Sequence, residues 1–127
     1  MIVFDASAAV LALLNDGDAR RSLAREPVAV PHLVDAEVAH ALRAQVIRGQ
    51  VGADAARAAL LRWGRLGLRR FAVVRLLPRI WELRDNLSAY DATYIALAEA
   101  TGSTLVTADA RLARAPGPEC TITVVRR

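Results

Sequence analysis

Four acidic residues stand beside apolar stretches of this sequence, far apart along the chain. They are Asp5, Glu37, Asp91 and Asp109. A carboxylate next to a core-forming segment loses hydration at a high free-energy cost unless it is paired, hydrogen-bonded or bound to a cation. Magnesium prefers hard oxygen ligands and keeps part of its water shell when carboxylates bind it. The four acids therefore predict a shared divalent metal site suited to hydrolysis by a metal-activated water.

Each acid also has a structural interpretation. Asp5 follows a predicted strand and could cap the next helix, although Ser7 is expected to be the better cap and to leave Asp5 free as a ligand. Glu37 lies on the apolar face of a predicted helix, where its side chain could also turn outward or pair with an arginine. Its neighbour Asp35 is expected to face the solvent.

The two later acids are more ambiguous when each is considered alone. Asp91 lies three residues after Ser88, a spacing that predicts a capping box at the start of a helix. Either Asp109 or Thr107 could begin a short helix after a strand. The metal hypothesis therefore depends on the set of four acids.

Hydrophobic periodicity and turn residues divide the chain into alternating strands and helices. Strands are predicted at 2–5, 28–30, 71–76, 104–107 and 121–125, and helices at 7–14, 18–25, 33–48, 53–66, 78–86, 89–101 and 108–113. This alternation predicts a single α/β domain over residues 1–127, with a small, mainly parallel sheet between two layers of helices. Ligands of such sheets bind outside the carboxyl ends of the strands, where Asp5 and Asp109 are expected.

The basic residues suit a nucleic-acid partner. The net charge is +4, all 17 basic residues are arginine, and lysine is absent. Guanidinium groups form bidentate contacts with phosphate, but a GC-rich genome would also favour arginine codons, so both explanations stay open. Adjacent arginine pairs that could follow a phosphate backbone or simply face solvent are Arg20 with Arg21, Arg69 with Arg70, and Arg126 with Arg127.

Several classes of protein and location are disfavoured. A phosphoryl-receiver domain needs a lysine, a P-loop NTPase needs a Gly-Lys-Ser/Thr loop, and a haloacid-dehalogenase-like phosphatase needs an aspartate where Ser7 stands. Cys120 is the single cysteine and cannot form an internal disulfide. The longest apolar run, 8–14, is too short to span a bilayer, so a cytoplasmic protein is predicted.

Histidines and aromatic residues add little to the site prediction. His32 and His40 lack a second ligand at zinc spacing and are set aside. The aromatic side chains at helical positions are expected to fill the core or a subunit interface: Trp63, Trp81, Tyr90 and Tyr94.

Several segments together resemble the PIN-domain ribonucleases. They are Val-Phe-Asp-Ala-Ser-Ala at 3–8, the helical Glu37, Tyr-Asp-Ala-Thr-Tyr-Ile-Ala-Leu-Ala-Glu at 90–99, and Leu-Val-Thr-Ala-Asp-Ala-Arg-Leu at 105–112. The resemblance spans essentially the whole chain. The compact length is similar to that of the VapC-type toxins of bacterial type II toxin–antitoxin systems.

This resemblance implies a PIN-like three-layer α/β/α sandwich and a metal-dependent endoribonuclease. The four acids match the family's catalytic quartet, which binds Mg2+ or Mn2+, with Ser7 and Thr107 as supporting hydroxyls. Some relatives carry a further acid where Arg111 and Leu112 stand here, which leaves a second metal open.

The resemblance also implies partners. They are an RNA substrate, a cognate VapB-type antitoxin that masks the site, and a second copy in a homodimer that uses the helices within 33–66. The alternative is a catalytically silent PIN-like module that binds RNA or protein without cleavage.

Overall fold

The computed structural model describes residues 1–126, so Arg127, half of the last arginine pair, lies outside the described residues. Its strands are β1 (Ile2–Phe4), β2 (Val28–Pro31), β3 (Arg69–Phe71), β4 (Thr104–Thr107) and β5 (Ile122–Val124). Its helices are α1 (Ala6–Leu14), α2 (Asp18–Arg25), α3 (Val34–Ile47), α4 (Ala53–Arg65), α5 (Leu77–Glu82), α6 (Ala89–Thr101) and α7 (Ala110–Arg114).

The five strands form one parallel sheet in the order β3-β2-β1-β4-β5. Strand β1 is central and entirely buried, with Ile2 aligned to Val28 on one side and to Thr104 on the other. From β1 the chain moves outward to β3, then returns past β1 to reach β4. Because parallel crossovers are right-handed, this reversal places α1–α4 on one face and α5–α7 on the other.

The helix contacts agree with that arrangement. Helix α1 packs on β1 and β4 and against α2, α3 and α4, whereas α6 packs on β1, β2, β4 and α5. The three-layer α/β/α prediction is therefore confirmed, and the sheet is parallel throughout. This layering leaves the carboxyl edge of the sheet uncovered by the helices that pack on its faces.

Helix ends follow local chemistry. Ser88 caps α6 by accepting a hydrogen bond from the Asp91 backbone N–H at 3.1 Å, and Gly102 ends this helix with a left-handed φ of 63°. Both were predicted. The prediction that Ser7 caps α1 was wrong, because the helix already begins at Ala6 and the extended residue before it, Asp5, accepts the capping bond from the Ala8 N–H.

The third strand was misplaced in the prediction. It spans Arg69–Phe71 rather than 71–76, and residues Val74–Leu76 form a 3₁₀ turn leading into α5. The physical reason is the neighbouring strand, since β2 ends at Pro31, which aligns with Phe71. Beyond Phe71 the chain has no partner strand with which to continue the ladder.

Asp35 is tied into the structure rather than simply solvated, which corrects a second expectation. Its carboxylate accepts two hydrogen bonds from the Arg70 guanidinium, at 2.8 and 2.9 Å, and one from the Trp63 indole Nε1 at 2.8 Å. The Arg70 contact holds the pKa of Asp35 below its ordinary value. These bonds join α3, α4 and β3.

The aromatic side chains divide between core and surface. Trp63 and Tyr94 are buried, as predicted, but Trp81 and Tyr90 are 66 and 65 % exposed and do not belong to the core. Within residues 1–126, no helix has both the length and the hydropathy that crossing a membrane requires.

Two glycines provide a test of the helix ends. Gly102→Ala should lower the free energy of unfolding by about 1 kcal/mol, because an added Cβ is strained at positive φ. Gly64→Ala, inside α4 and equally open to a new methyl group, should raise it by about 0.5 kcal/mol. Urea unfolding of both variants measures this, and the same sign of change for both would contradict the assigned helix end.

Candidate active site

The candidate site lies where the direction of the sheet connections reverses. Strands β1 and β4 are parallel neighbours, so their carboxyl ends meet at one edge and bring Asp5 and Asp109 to it. Helices α3 and α6 begin at the same edge, because the helices of parallel crossovers run opposite to the strands, and they carry Glu37 and Asp91 in their first turns. This is the position at which open α/β sheets bind ligands.

Asp5 is the buried centre of the site. One carboxylate oxygen, Oδ1, accepts hydrogen bonds from the Ser7 hydroxyl at 2.6 Å and from the Ala8 N–H at 2.9 Å. The other, Oδ2, accepts one from the Thr107 hydroxyl. The side chain is 5 % exposed. Both supporting hydroxyls predicted from the sequence therefore contact the same carboxylate.

The two hydroxyls also connect the ends of β1 and β4. Ser7 Oγ accepts a hydrogen bond from the Ala108 N–H at 2.9 Å, and Thr107 Oγ1 accepts one from the Asp109 N–H at 3.0 Å. Each hydroxyl has one proton, and each donates it to Asp5, so their 3.3 Å approach to each other adds no further strong bond. The network fixes both carboxylate oxygens of Asp5.

Burial still dominates the electrostatics of Asp5. It raises the pKa of this carboxyl above its ordinary value even though three hydrogen bonds favour the ionised form, and the charge on Asp91 raises it further. A buried acid that also feels a second acid is better stabilised by a bound cation than by hydrogen bonds alone.

Glu37 and Tyr94 form a second unit of the site. The buried Tyr94 hydroxyl donates a hydrogen bond to Glu37 Oε1. Burial raises the pKa of Glu37, and the charges on Asp91 and Asp5 raise it further. Burial and Glu37 also raise the pKa of the Tyr94 phenol, which therefore remains a proton donor at neutral pH. The Tyr94 hydroxyl bonds to Oε1 of Glu37, so it does not occupy the other carboxylate oxygen, Oε2.

Asp91 and Asp109 differ in whether an arginine is bound to the carboxylate. Burial and the charge on Asp109 raise the pKa of Asp91, while Arg111 opposes this shift. Asp109 caps α7 and is bound by the Arg111 side chain through Nε at 3.0 Å and Nη2 at 2.7 Å. This pairing with Arg111 lowers the pKa of Asp109.

The partly buried acids of the chain therefore fall into two groups. Those bound by an arginine have lowered pKa values: Asp35 with Arg70, Glu99 with Arg79, and Asp109 with Arg111. Burial is the largest single effect on Glu99 and raises its pKa, but Arg79 and the Glu119 backbone N–H together outweigh it. Asp5, Glu37 and Asp91 have no bound arginine among the described residues 1–126 and have raised pKa values. The three uncompensated acids lie together at one edge of the sheet.

The donor set fits a hard divalent cation, but the acids are not arranged as a finished ligand cluster. Across residues 1–126, no three His, Cys, Asp or Glu side chains are placed so that they could hold a metal ion. Several carboxylate oxygens also accept hydrogen bonds from protein donors, those of Asp5 from Ser7 and Thr107 and those of Asp109 from Arg111. Because the Arg111 guanidinium is positive, cation binding at Asp109 competes with it.

Two open clefts lie near the candidate site. One, of about 510 Å³, lies between α1 and the end of α3 and reaches Ser7 and Ala108. The other, of about 500 Å³, is lined by Asp91 and Arg111 among others. Of these two clefts, the second includes one of the four acids in its lining.

Sequence reasoning missed two side chains that contact the predicted acids. Tyr94 was assigned to the core or an interface, although it lies three residues after Asp91 and therefore on the same face of α6. Arg111 was noted only as a departure from other sequences. Its position two residues after Asp109, in the first turn of α7, is the available signal that it could reach back to that carboxylate.

Replacing one uncompensated acid should stabilise the metal-free protein. Glu37→Gln keeps an oxygen for the Tyr94 hydroxyl but removes repulsion from Asp91 and Asp5. Because the folded-state pKa of Glu37 is raised, its ionisation costs stability as pH rises above the ordinary value of 4.5, and acidification through the raised pKa removes that cost.

Urea unfolding in EDTA should therefore show a greater loss of stability from pH 4.5 to pH 8 in the parent than in Glu37→Gln. Glu82→Gln is the matched control because Glu82 is exposed. If Glu37→Gln were less stable than the parent at pH 8 and its stability depended on pH as the parent's does, the predicted repulsion of Glu37 by Asp91 and Asp5 would be contradicted.

Comparison with known proteins gives a consistent family assignment. The PIN domain model matches residues 2–118. Ribonuclease VapC9 of Mycobacterium tuberculosis is 57 % identical over 127 residues, which cover 100 % of both chains.

Solved structures share the fold. PAE2754 from Pyrobaculum aerophilum matches with a TM-score of 0.70 and 28 % identity over 95 % of this chain and 81 % of its own. A chain of a toxin–antitoxin complex from Klebsiella pneumoniae matches with a TM-score of 0.67 and 18 % identity over 100 % of both, which supports the fold alone. This chain belongs to the PIN-domain family, within its VapC group of ribonuclease toxins.

Proposed function

We propose that this protein is an endoribonuclease that hydrolyses phosphodiester bonds in single-stranded or looped RNA with Mg2+ or Mn2+ as cofactor. Asp5, Glu37, Asp91 and Asp109 are the proposed catalytic residues and metal ligands. The observation that carries the proposal is a group of three acids at the carboxyl edge of the sheet that have no arginine partner among residues 1–126. Burial raises the pKa of each of them, and a neighbouring acid raises it further. The VapC9 ribonuclease, 57 % identical over its full length, supports RNA as the substrate.

A divalent cation bound by these carboxylates would activate a water, polarise the scissile phosphate and offset the charge on the leaving oxygen. The protein's own residues prepare the site for it. Ser7 and Thr107 fix the orientation of the Asp5 carboxylate, and the Tyr94 hydroxyl holds one oxygen of Glu37. The first turn of α6 adds a favourable helix dipole at Asp91, which partly compensates its proximity to the other acids.

RNA cleavage by the purified protein tests the proposal. The parent should cut total bacterial RNA into discrete fragments with Mg2+ or Mn2+, and EDTA should stop the reaction. Asp5→Asn should reduce the cleavage rate by at least about a hundredfold, because the amide removes a negative ligand while it can still cap α1.

The control is Asp16→Asn, an equal change of charge at an exposed position, which should cleave like the parent. Circular dichroism should show that both variants remain folded. Full activity of Asp5→Asn would contradict the catalytic assignment. A folded, metal-loaded parent that binds RNA but never cleaves it would instead favour the catalytically silent binding module.

A toxin of this kind needs an inhibitor, so a small antitoxin of the VapB type is the proposed protein partner, and the cytoplasm is the proposed location. The VapC group to which this chain belongs supports this partner, and a chain of the same fold occurs in a toxin–antitoxin complex from Klebsiella pneumoniae. An antitoxin that covers the carboxyl edge of the sheet would block the uncompensated acids from RNA.

Homodimerisation is also part of the proposal, with α3 and α4 as the contact surface. An apolar cleft of about 360 Å³ runs between these helices and is lined by Leu42, Val46, Ile47 and Leu60 among others. Ile47 is 66 % exposed at its edge. A second exposed apolar strip lies elsewhere, on the 3₁₀ turn and α5, at Val74, Leu77 and Trp81.

A charge placed in the interface should dissociate the dimer. Ile47→Asp should convert a micromolar dimer to a monomer in light scattering, because ionised aspartate resists burial between apolar surfaces. Leu77→Asp is the matched control on the second strip and should remain dimeric. A monomeric parent would contradict homodimerisation. If Leu77→Asp dissociated the dimer and Ile47→Asp did not, the interface would be assigned to α5 instead of α3 and α4.

A further inference from the structure

Arg111 binds Asp109, one of the proposed cation ligands, and also lines an open cleft. Its guanidinium and backbone N–H together donate three hydrogen bonds to the Asp109 carboxylate, two to Oδ1 at 3.0 Å and one to Oδ2 at 2.7 Å. A carboxylate has about four acceptor positions, so most of the ligating capacity of Asp109 is in use. The positive guanidinium also repels any cation that approaches the remaining position.

Little holds Arg111 in this arrangement. Its side chain is 80 % exposed, and exposed ion pairs contribute little to stability because water screens the charges and the side chain must be ordered. Asp109 would still cap α7 by accepting the hydrogen bond from the Arg111 backbone N–H if the guanidinium moved away. The guanidinium can therefore exchange its partner without loss of α7.

The cleft beside Arg111 is suited to a phosphate group. It has a volume of about 500 Å³ and is lined by Asn86, Ser88, Asp91, Arg111 and Arg114, together with apolar residues. An amide, a hydroxyl and two guanidinium groups are donors that phosphate oxygens accept. Asp91, one of the proposed cation ligands, also lines this cleft, which therefore adjoins the proposed cation site.

We infer that Arg111 is a substrate-binding residue that exchanges Asp109 for an RNA phosphate. The inference rests on the proposed ribonuclease function. When a divalent cation binds Asp109, the cation takes over neutralisation of this carboxylate and the guanidinium turns into the cleft. There it binds the phosphate of a nucleotide adjacent to the scissile bond, with Arg114 alongside. The same side chain thus opposes cation binding in the free protein and favours RNA binding in the loaded one.

Arg111→Gln should have two opposite effects. Without RNA, it should bind Mn2+ about threefold or more tightly than the parent in isothermal titration calorimetry, because Asp109 no longer has to leave a guanidinium. With Ca2+ in place of a catalytic ion, it should bind a fluorescein-labelled oligouridine about tenfold more weakly in anisotropy titrations, since a charged hydrogen bond to phosphate is lost. The slope of log affinity against log salt should fall by about 0.7, as expected for one phosphate contact on a single strand.

Two further variants complete the test. Arg65→Gln removes the same charge at an exposed position at the end of α4, outside the cleft lining, and should change neither affinity. Arg111→Lys should restore the salt slope, because it keeps the charge. The inference is overturned if Arg111→Gln binds Mn2+ no more tightly than the parent, or if its loss of RNA affinity only equals that of Arg65→Gln. Failure of the parent to cleave RNA would remove the proposed function, while these two binding measurements would still decide the role of Arg111.

Discussion

The burial of one carboxylate determines how the centre of this protein is built. Asp5 ends the central strand, where its side chain is almost wholly removed from water. Such a group is tolerated only when its oxygens are hydrogen-bonded, and the donors come from Ser7, Ala8 and Thr107. Two of these donors belong to the first turns of α1 and one to the end of β4. The same bonds that satisfy Asp5 therefore also fix where α1 starts and how β4 lies against β1.

The other acids divide into those that are paired with an arginine and those that are left unpaired at the candidate site. Asp35 and Glu99 are bound by Arg70 and Arg79 and serve to connect elements of the structure. Among residues 1–126, Glu37 and Asp91 have no bound arginine, so burial and the charges of neighbouring acids destabilise their ionised forms. Natural proteins accept such local costs mainly at functional sites, because a ligand can remove them. In this chain the cost is concentrated at a single edge of the sheet.

The Asp109–Arg111 pair differs from the other two arginine-bound pairs. Its guanidinium is exposed and borders a cleft, whereas the arginines bound to Asp35 and Glu99 are partly shielded. An ion pair at the edge of a site can control access to it, since its partners can be exchanged at low cost. The four acids are all carboxylates but have different environments, and these environments decide which of them is ready to bind a cation.

The sequence by itself determined the α/β class, the number of strands, most helix ends and the four acids that gather at the sheet edge. These follow from local rules, namely apolar periodicity, the capping of α6 by Ser88 and the left-handed conformation at Gly102. The alternation of strands and helices also predicted the layer arrangement, and the family resemblance supplied the functional hypothesis. Only the tertiary structure decided that Asp5, not Ser7, caps α1 and that β3 stops at Phe71, because a strand continues only as far as a neighbouring strand can pair with it. The partners of Glu37 and Asp35 were likewise decided in three dimensions, since hydrogen bonds between Tyr94 and Glu37 or Arg70 and Asp35 join residues whose separation in sequence carries no local signal.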